Sequence, residues 1–282
     1  MKGKKRIAII VVFLMILLSA VLIYENEHLE FNTYTVESDA LPEEFEGFRI
    51  VHLSDFHNTE IGKNNEKLIS MISQAKPDII AITGDIVDSR RTDIDVAVKF
   101  AKELMKIAPC YYVTGNHEWR IAGYDKLKEG ILGAGVMVLD NKKLQLERGG
   151  AKIEIMGIDD PMFGSDYFGG DEFATVDTAI KNLGKEEELF TLLLSHRPEM
   201  FGIYAENGMD LVLSGHAHGG QFRLPFVGGF IAPGQGFLPK YDAGLYEEGE
   251  TKMIVSRGIG NSIIPLRINN RPEVILIELV RE

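Results

Sequence analysis

The chain has 282 residues, enough for one large domain or two small ones, and its 45% hydrophobic and 26% charged content is that of an ordinary globular protein. Acidic residues outnumber basic ones 42 to 30, giving a net charge of −12, and four of the basic residues (Lys2, Lys4, Lys5, Arg6) precede residue 7. So acidic a surface excludes general nucleic-acid binding, which needs clustered Lys and Arg, and the single cysteine, Cys110, excludes an intrachain disulfide.

Behind the basic cluster, Ile7 to Ile23 is a run of seventeen residues without a charge. As a helix it spans roughly 25 Å, at ~1.5 Å per residue, close to the ~30 Å hydrocarbon core of a bilayer. Tyr24 stands where an interfacial aromatic is useful, and the basic flank favours a cytoplasmic N-terminus with the rest of the chain on the outer side. An uncleaved single-pass anchor (residues 1–24) and a cleaved signal peptide both fit. The lack of a small-x-small site at the end of the run favours the anchor.

Residues 25–47 are polar and acidic and read as a short stalk whose alternating piece, Phe31 to Val36, enters a sheet as an edge strand. From Phe48 to the C-terminus the pattern is one domain of alternating strands and helices. Phe48 to Leu53 is a strand; Leu68, Ile72 and Ala75 mark a helix face that Pro77 ends. Asp78 to Ile82 is a continuous apolar run, the signature of a strand covered on both faces. A helix striped by Ile94, Ala97, Ala101 and Leu104 follows, then a strand over 110–114 that buries Cys110 as an inert core thiol. A helix from Tyr124 to Leu132 precedes strands near 136–139 and 152–158. Helix 172–183, strand 189–194, helix 199–207 and strand 210–213 repeat the scheme, and strands near 252–256 and 273–279 close it. Such an order predicts an α/β (α+β) protein with two packed sheets flanked by helices.

The chemistry sits at the strand ends. In order come Asp55-Phe56-His57, Gly84-Asp85 with Asp88, Gly115-Asn116-His117-Glu118, Ser195-His196, and Gly215-His216-Ala217-His218. Each alone is ordinary turn chemistry; five at successive strand ends are not. Carboxylate, amide and imidazole are the donors that hold pairs of metal ions, and identity among Mn, Fe or Zn stays open. Two cations ~3.5–4 Å apart acidify a bridging water and clamp both oxygens of an in-line phosphoryl displacement. A histidine beside the pair, not ligated, can then supply the leaving alkoxide with a proton.

This order of motifs, from about Arg49 to His218, resembles the calcineurin-like metallophosphoesterases. The resemblance implies a four-layer αββα sandwich of two mixed β-sheets with helices outside. By position it implies that Asp55, His57 and His218 hold one metal and that Asn116, His196 and His216 complete the other, with Asp85 bridging. His117 matches the family's non-ligating catalytic histidine, with Asp88 orienting it and stabilising its charge. Asp88 also stands where purple acid phosphatases carry a metal-binding tyrosine, so a ferric-tyrosinate centre is not expected. The implied reaction is hydrolysis of a phosphomono- or phosphodiester by a metal-bridging hydroxide.

The tail, including Gly219-Gly220-Gln221, Gly244-Leu245-Tyr246, Ser256-Arg257-Gly258 and Arg271-Pro272-Glu273, is similar to the membrane-associated bacterial branch, the YkuE-like phosphoesterases. That branch implies glycolipid pyrophosphates of the UDP-diacylglucosamine kind as an alternative substrate, although these are met in the cytoplasm. A non-catalytic, metal-binding surface module is a further alternative, disfavoured because no motif residue is missing. Arg120 is a candidate for binding a phosphate oxygen or for pairing with surface acids. The apolar residues between Phe222 and Leu238 either pack under the sheet edge, line a substrate groove or touch the bilayer. His52 is read as a core or supporting histidine and His28 as solvated.

Overall fold

Three apolar runs that each end in a polar motif, Phe48–Leu53 (β2), Ile79–Thr83 (β3) and Cys110–Val113 (β4), lie side by side as parallel strands. They are mostly apolar, with Arg49, His52 and Thr83 the exceptions, because helices cover one face and a second sheet covers the other. The computed structural model describes residues 2–164, 170–261 and 266–282. α1 (Lys2–Glu27) carries the uncharged N-terminal run, with the described side chains from Ile9 to Val21 exposed, and is long and apolar enough to cross a membrane. The polar segment after it supplies an edge strand, β1 (Glu30–Glu37). It pairs along its whole length with β16 (Glu273–Val280), while Val36, Leu41 and Phe45 join the core.

The first sheet has the order β1-β16-β2-β3-β4-β5, with β5 (Met137–Val138) only two residues long. The second has β14 (Gly244–Glu248), β15 (Thr251–Val255), β9 (Leu211–Ser214), β8 (Thr191–Leu194), β7 (Ala151–Gly157) and β6 (Lys142–Arg148), in that order. Strands β15, β9, β8 and β7 are parallel; β14 and β6 flank them antiparallel. Both sheets are therefore mixed, and Ile50, Ala81 and Val113 of the first meet Ile155, Leu192 and Leu213 of the second in one dry layer.

Helices seal the outer faces. α2 (Glu66–Gln74), α3 (Ile94–Leu104) and α5 (Tyr124–Gly133) cover the first sheet, burying Leu68, Ile72, Ala97, Leu104, Leu127 and Ile131. Asp93 caps α3 by accepting from the Val96 N–H at 3.1 Å. α6 (Glu172–Leu183) and α7 (Phe201–Glu206) cover the second, with Val176, Ile180, Phe201 and Tyr204 inside. The result is αββα layering. Four two-residue strands that the residue pattern did not suggest form two hairpins after the last motif: β10 (Arg223–Leu224) with β11 (Gly228–Gly229), and β12 (Ile231–Ala232) with β13 (Gly236–Phe237).

Register decides where the site falls. Leu53 pairs with Ile82, Thr83 with Val113 and Leu194 with Leu213, so the parallel strands finish level and present their following loops along one edge. Leu192 is fully buried between the sheets. Leu192→Ala should cost about 2–5 kcal/mol, read as a shift in the denaturation midpoint of the detergent-solubilised chain; a shift worth less than ~1 kcal/mol contradicts this packing.

Candidate metal centre

The loops that leave β2, β3 and β9 turn with backbone that most side chains avoid. Asp55, His57, Asp85, His216 and His218 all have left-handed φ, between +48° and +64°. Asn, Asp and His are the side chains that tolerate this region best, and each such turn stores on the order of 1 kcal/mol that the surroundings must hold. Gly84, at φ +85°, lets three strand ends meet, since a Cβ there would lie 2.7 Å from the Gly115 Cα and from His196 Nδ1. Asn116 opens a single-turn helix, α4 (Asn116–Trp119), directly behind β4.

These turns bring the motif side chains into two adjoining groups. The donor atoms of Asp55, His57, Asp85 and His218 lie within 4.8 Å of one another, as do those of Asp85, His196 and His216, and all are buried. Asp85 belongs to both. Its Oδ1 accepts from the His117 N–H at 2.8 Å, while its Oδ2 lies 3.7 Å from His57 Nε2 and 3.3 Å from His196 Nε2. Across the sheets, the His216 N–H donates to Asp55 Oδ2 at 3.0 Å, and His196 Nδ1 pairs with the Thr83 carbonyl at 2.7 Å.

The donor set fits cations. Asp55 Oδ1 and Asn116 Oδ1 are buried with no hydrogen-bond partner among the described residues. His57 and His218 face each other Nε2 to Nε2 at 3.2 Å, and His216 Nδ1 faces His196 Nε2 at the same distance. Burial alone would raise both carboxyls, but His218 beside Asp55 and His196 beside Asp85 hold them well below the usual range. Burial would likewise lower His196, yet the Asp85 carboxylate lifts it to about 10. Burial pushes His218 down to about 3, and burial with Arg197 drives His216 well below its ordinary value. Two buried carboxylates thus draw positive charge onto the cluster, charge that a bound metal ion would supply in place of protons.

His117 stands beside the cluster. Its Nδ1 accepts the Ser89 N–H at 2.9 Å, which leaves the proton of the neutral ring on Nε2, 4.0 Å from Asp85 Oδ2. Burial lowers its pKa to about 4. Asp88 accepts from the Arg90 N–H at 2.8 Å and acts on His117 through its charge. Arg120 is exposed at the rim, with Nη2 3.9 Å from Met162 Sδ. His52 is buried inside β2, bonded to Thr83 Oγ1 at 2.8 Å, and His28 is exposed and stacked on Tyr24. The Cys110 thiol is buried and pushed up to about 12.

Residues 48–220 match the family model described as calcineurin-like phosphoesterase. The chain belongs to this family. It is 32% identical over 260 residues to the metallophosphoesterase YkuE of Bacillus subtilis, covering 90% of this chain and 87% of that protein. It is 31% identical over 249 residues to the phosphodiesterase YaeI of Escherichia coli, covering 83% and 82%. The fold is similar to that of TT1561 of Thermus thermophilus, with a TM-score of 0.50 at 14% identity over 75% of this chain and 90% of that one. The chain is therefore a metal-dependent phosphoester hydrolase.

Two features of this phosphoesterase's site were not foreseen in its residue pattern. Arg197, next to His196, is buried and gripped by Asp160 through Nε at 2.6 Å and Nη2 at 3.0 Å. Its Nη1 lies 3.4 Å from both His216 Nε2 and Glu199 Oε1, and with Arg120 and His117 it lines a cavity of ≈ 180 Å³ over the cluster. The second is Glu118. Its Oε2 accepts the N–H groups of Asp85 at 2.8 Å and Gly115 at 2.6 Å, and Oε1 that of Val87 at 3.3 Å. Burial and the nearby Asp85 raise its pKa to about 7 in spite of these donors. Glu118→Ala would strand three N–H groups, two of them well bonded. It should cost about 2–4 kcal/mol and reduce metal retention, measured by denaturation and metal analysis; unchanged values in both would contradict the role.

Proposed function

We propose that the chain is a membrane-anchored, dinuclear phosphoester hydrolase acting on phosphomono- or phosphodiesters, with diesters favoured by its likeness to the phosphodiesterase YaeI. The observation that carries the two-ion reading is that one carboxylate, Asp85, belongs to both groups of donor atoms. Asp55, His57 and His218 would hold one ion, Asn116, His196 and His216 the other, and Asp85 would lie between them. When bound there, two cations acidify a water molecule and neutralise phosphoryl oxygens.

The chain's own groups do the rest. His117, buried beside Asp85 and lining the cavity, offers its Nε2–H as a hydrogen-bond donor to the leaving oxygen and stabilises the negative charge that develops there. The Ser89 N–H holds the ring in that tautomer, and the Asp88 carboxylate partly offsets the lowering of its pKa by burial. Arg197, held rigid by Asp160, and Arg120 at the rim face the cavity where phosphoryl oxygens sit.

The apolar helix α1 would fix this catalytic unit to a membrane, with Lys2 to Arg6 on the cytoplasmic side and the site on the outer side. A lipid-linked phosphoester or pyrophosphate is the second reading. It is favoured by the exposed apolar side chains of the hairpins whose Pro233-Gly234 turn walls the cavity. His117→Ala should retain the metal content of the native chain while its turnover of bis-p-nitrophenyl phosphate with Mn²⁺ falls about 10²–10⁴-fold. Native turnover, or loss of metal along with activity, would count against this role for His117.

A further inference from the structure

The edge of the fold that carries the metal cluster is also the edge from which α1 leaves. β16 runs antiparallel to β2 with Ile275 opposite His52, so its first residues lie at the end where Asp55 follows. β1 runs parallel to β16 with Glu30 opposite Glu273, which places the start of β1 at that same end. Only His28 and Leu29 separate α1 from β1.

The junction is tied down on both sides. Asn26 Nδ2 donates to the Arg267 carbonyl at 3.0 Å, and the Arg267 N–H returns a bond to Asn26 Oδ1 at 2.9 Å. Arg271 pairs with Glu25 at 3.1 Å and lies over the Tyr24 ring at 4.8 Å. From there the ties run straight to the site. The Arg223 N–H donates to the Ile268 carbonyl at 3.0 Å, and Asn270 Nδ2 donates to the His218 carbonyl at 2.8 Å.

Between these anchors stand the two hairpins β10–β11 and β12–β13. They leave Leu224, Phe226, Val227, Phe237 and Leu238 exposed, Phe226 as fully as a free side chain (109%). Residues 224–239 contain no charged side chain and are bounded by Arg223 and Lys240, in a chain of net charge −12. An apolar surface of this kind is costly in water, at roughly 25 cal/mol per Å². Beside the end of a helix apolar enough to cross a membrane, and bordered by the exposed Lys240 while Arg223 is paired with Asp242, it suits a lipid surface and not a polar, acidic protein face.

We infer that the two hairpins form a membrane-docking surface, with Phe226 and Phe237 entering the headgroup–acyl boundary of the bilayer that α1 crosses. The metal cavity, walled by the turn of the second hairpin at Pro233 and Gly234, then opens at the lipid surface and not toward bulk water. Docking is a matter of position and holds whatever ester the site cleaves, so its test reads depth instead of turnover.

The full chain carrying Phe226→Cys or Phe237→Cys is labelled with a nitroxide and reconstituted into vesicles of phosphatidylcholine and phosphatidylglycerol. Cys110 is buried and stays unlabelled. Glu188→Cys, exposed just before β8 at the opposite edge of the fold, serves as the water-facing reference. Collision rates with oxygen and with a water-soluble nickel chelate give the depth of each label. Both hairpin labels should show a several-fold loss of nickel collisions and a gain in oxygen collisions relative to the label at 188. Hairpin labels that match the reference would overturn the inference. So would labels immobilised and shielded from both reagents, because a protein and not lipid would then cover the hairpins.

Discussion

Two carboxylates, Asp55 and Asp85, are buried to within 1% of full enclosure, and among the described residues their ion-pair partners are histidines alone. Moving a carboxylate out of water costs several kcal/mol unless opposite charge goes with it. An imidazole supplies that charge only by holding a proton, and the cluster splits its histidines accordingly. His196 is lifted to about 10, while His218 is pushed to about 3. Cations remove the conflict, and the rest of the structure serves to keep the two acids close enough to need them.

Keeping them close demands strain and tight backbone. Five of the expected ligands sit in left-handed turns, and Gly84 allows strands from both sheets to approach where a side chain would forbid it. What holds those turns is a set of bonds across elements. Glu118 binds the N–H groups of Asp85 and Gly115, Asp55 binds that of His216, and the Thr83 carbonyl holds His196. The first joins neighbouring strand ends of one sheet and the other two tie it to the second sheet, so the site and the stacking of the two sheets stand or fall together.

Much of this was legible in the residue order because burial on both faces makes central parallel strands continuously apolar. A polar motif at the end of such a run is conspicuous. β3 and β8 were readable for that reason. β6 was not, since it is a half-exposed edge strand whose Lys, Gln and Glu residues look like loop. The hairpins after His218 escaped notice as well, because their strands are two residues long and are held by tertiary contacts, such as Asp242 with Arg223 and with the Gly229 N–H. Glu118 stood inside a quoted motif, yet its role depends on N–H groups about thirty residues away. Arg197 is defined by Asp160, a partner 37 positions distant that no local pattern announces.

The proposed dinuclear centre requires two ions that share Asp85. Crystals of the full chain grown with Mn²⁺ and measured at an energy where manganese scatters anomalously would locate the ions without reference to activity. Two anomalous peaks are expected on either side of the Asp85 carboxylate, one beside Asp55, His57 and His218 and the other beside Asn116, His196 and His216. A single peak, or two peaks of which only one touches Asp85, would contradict it.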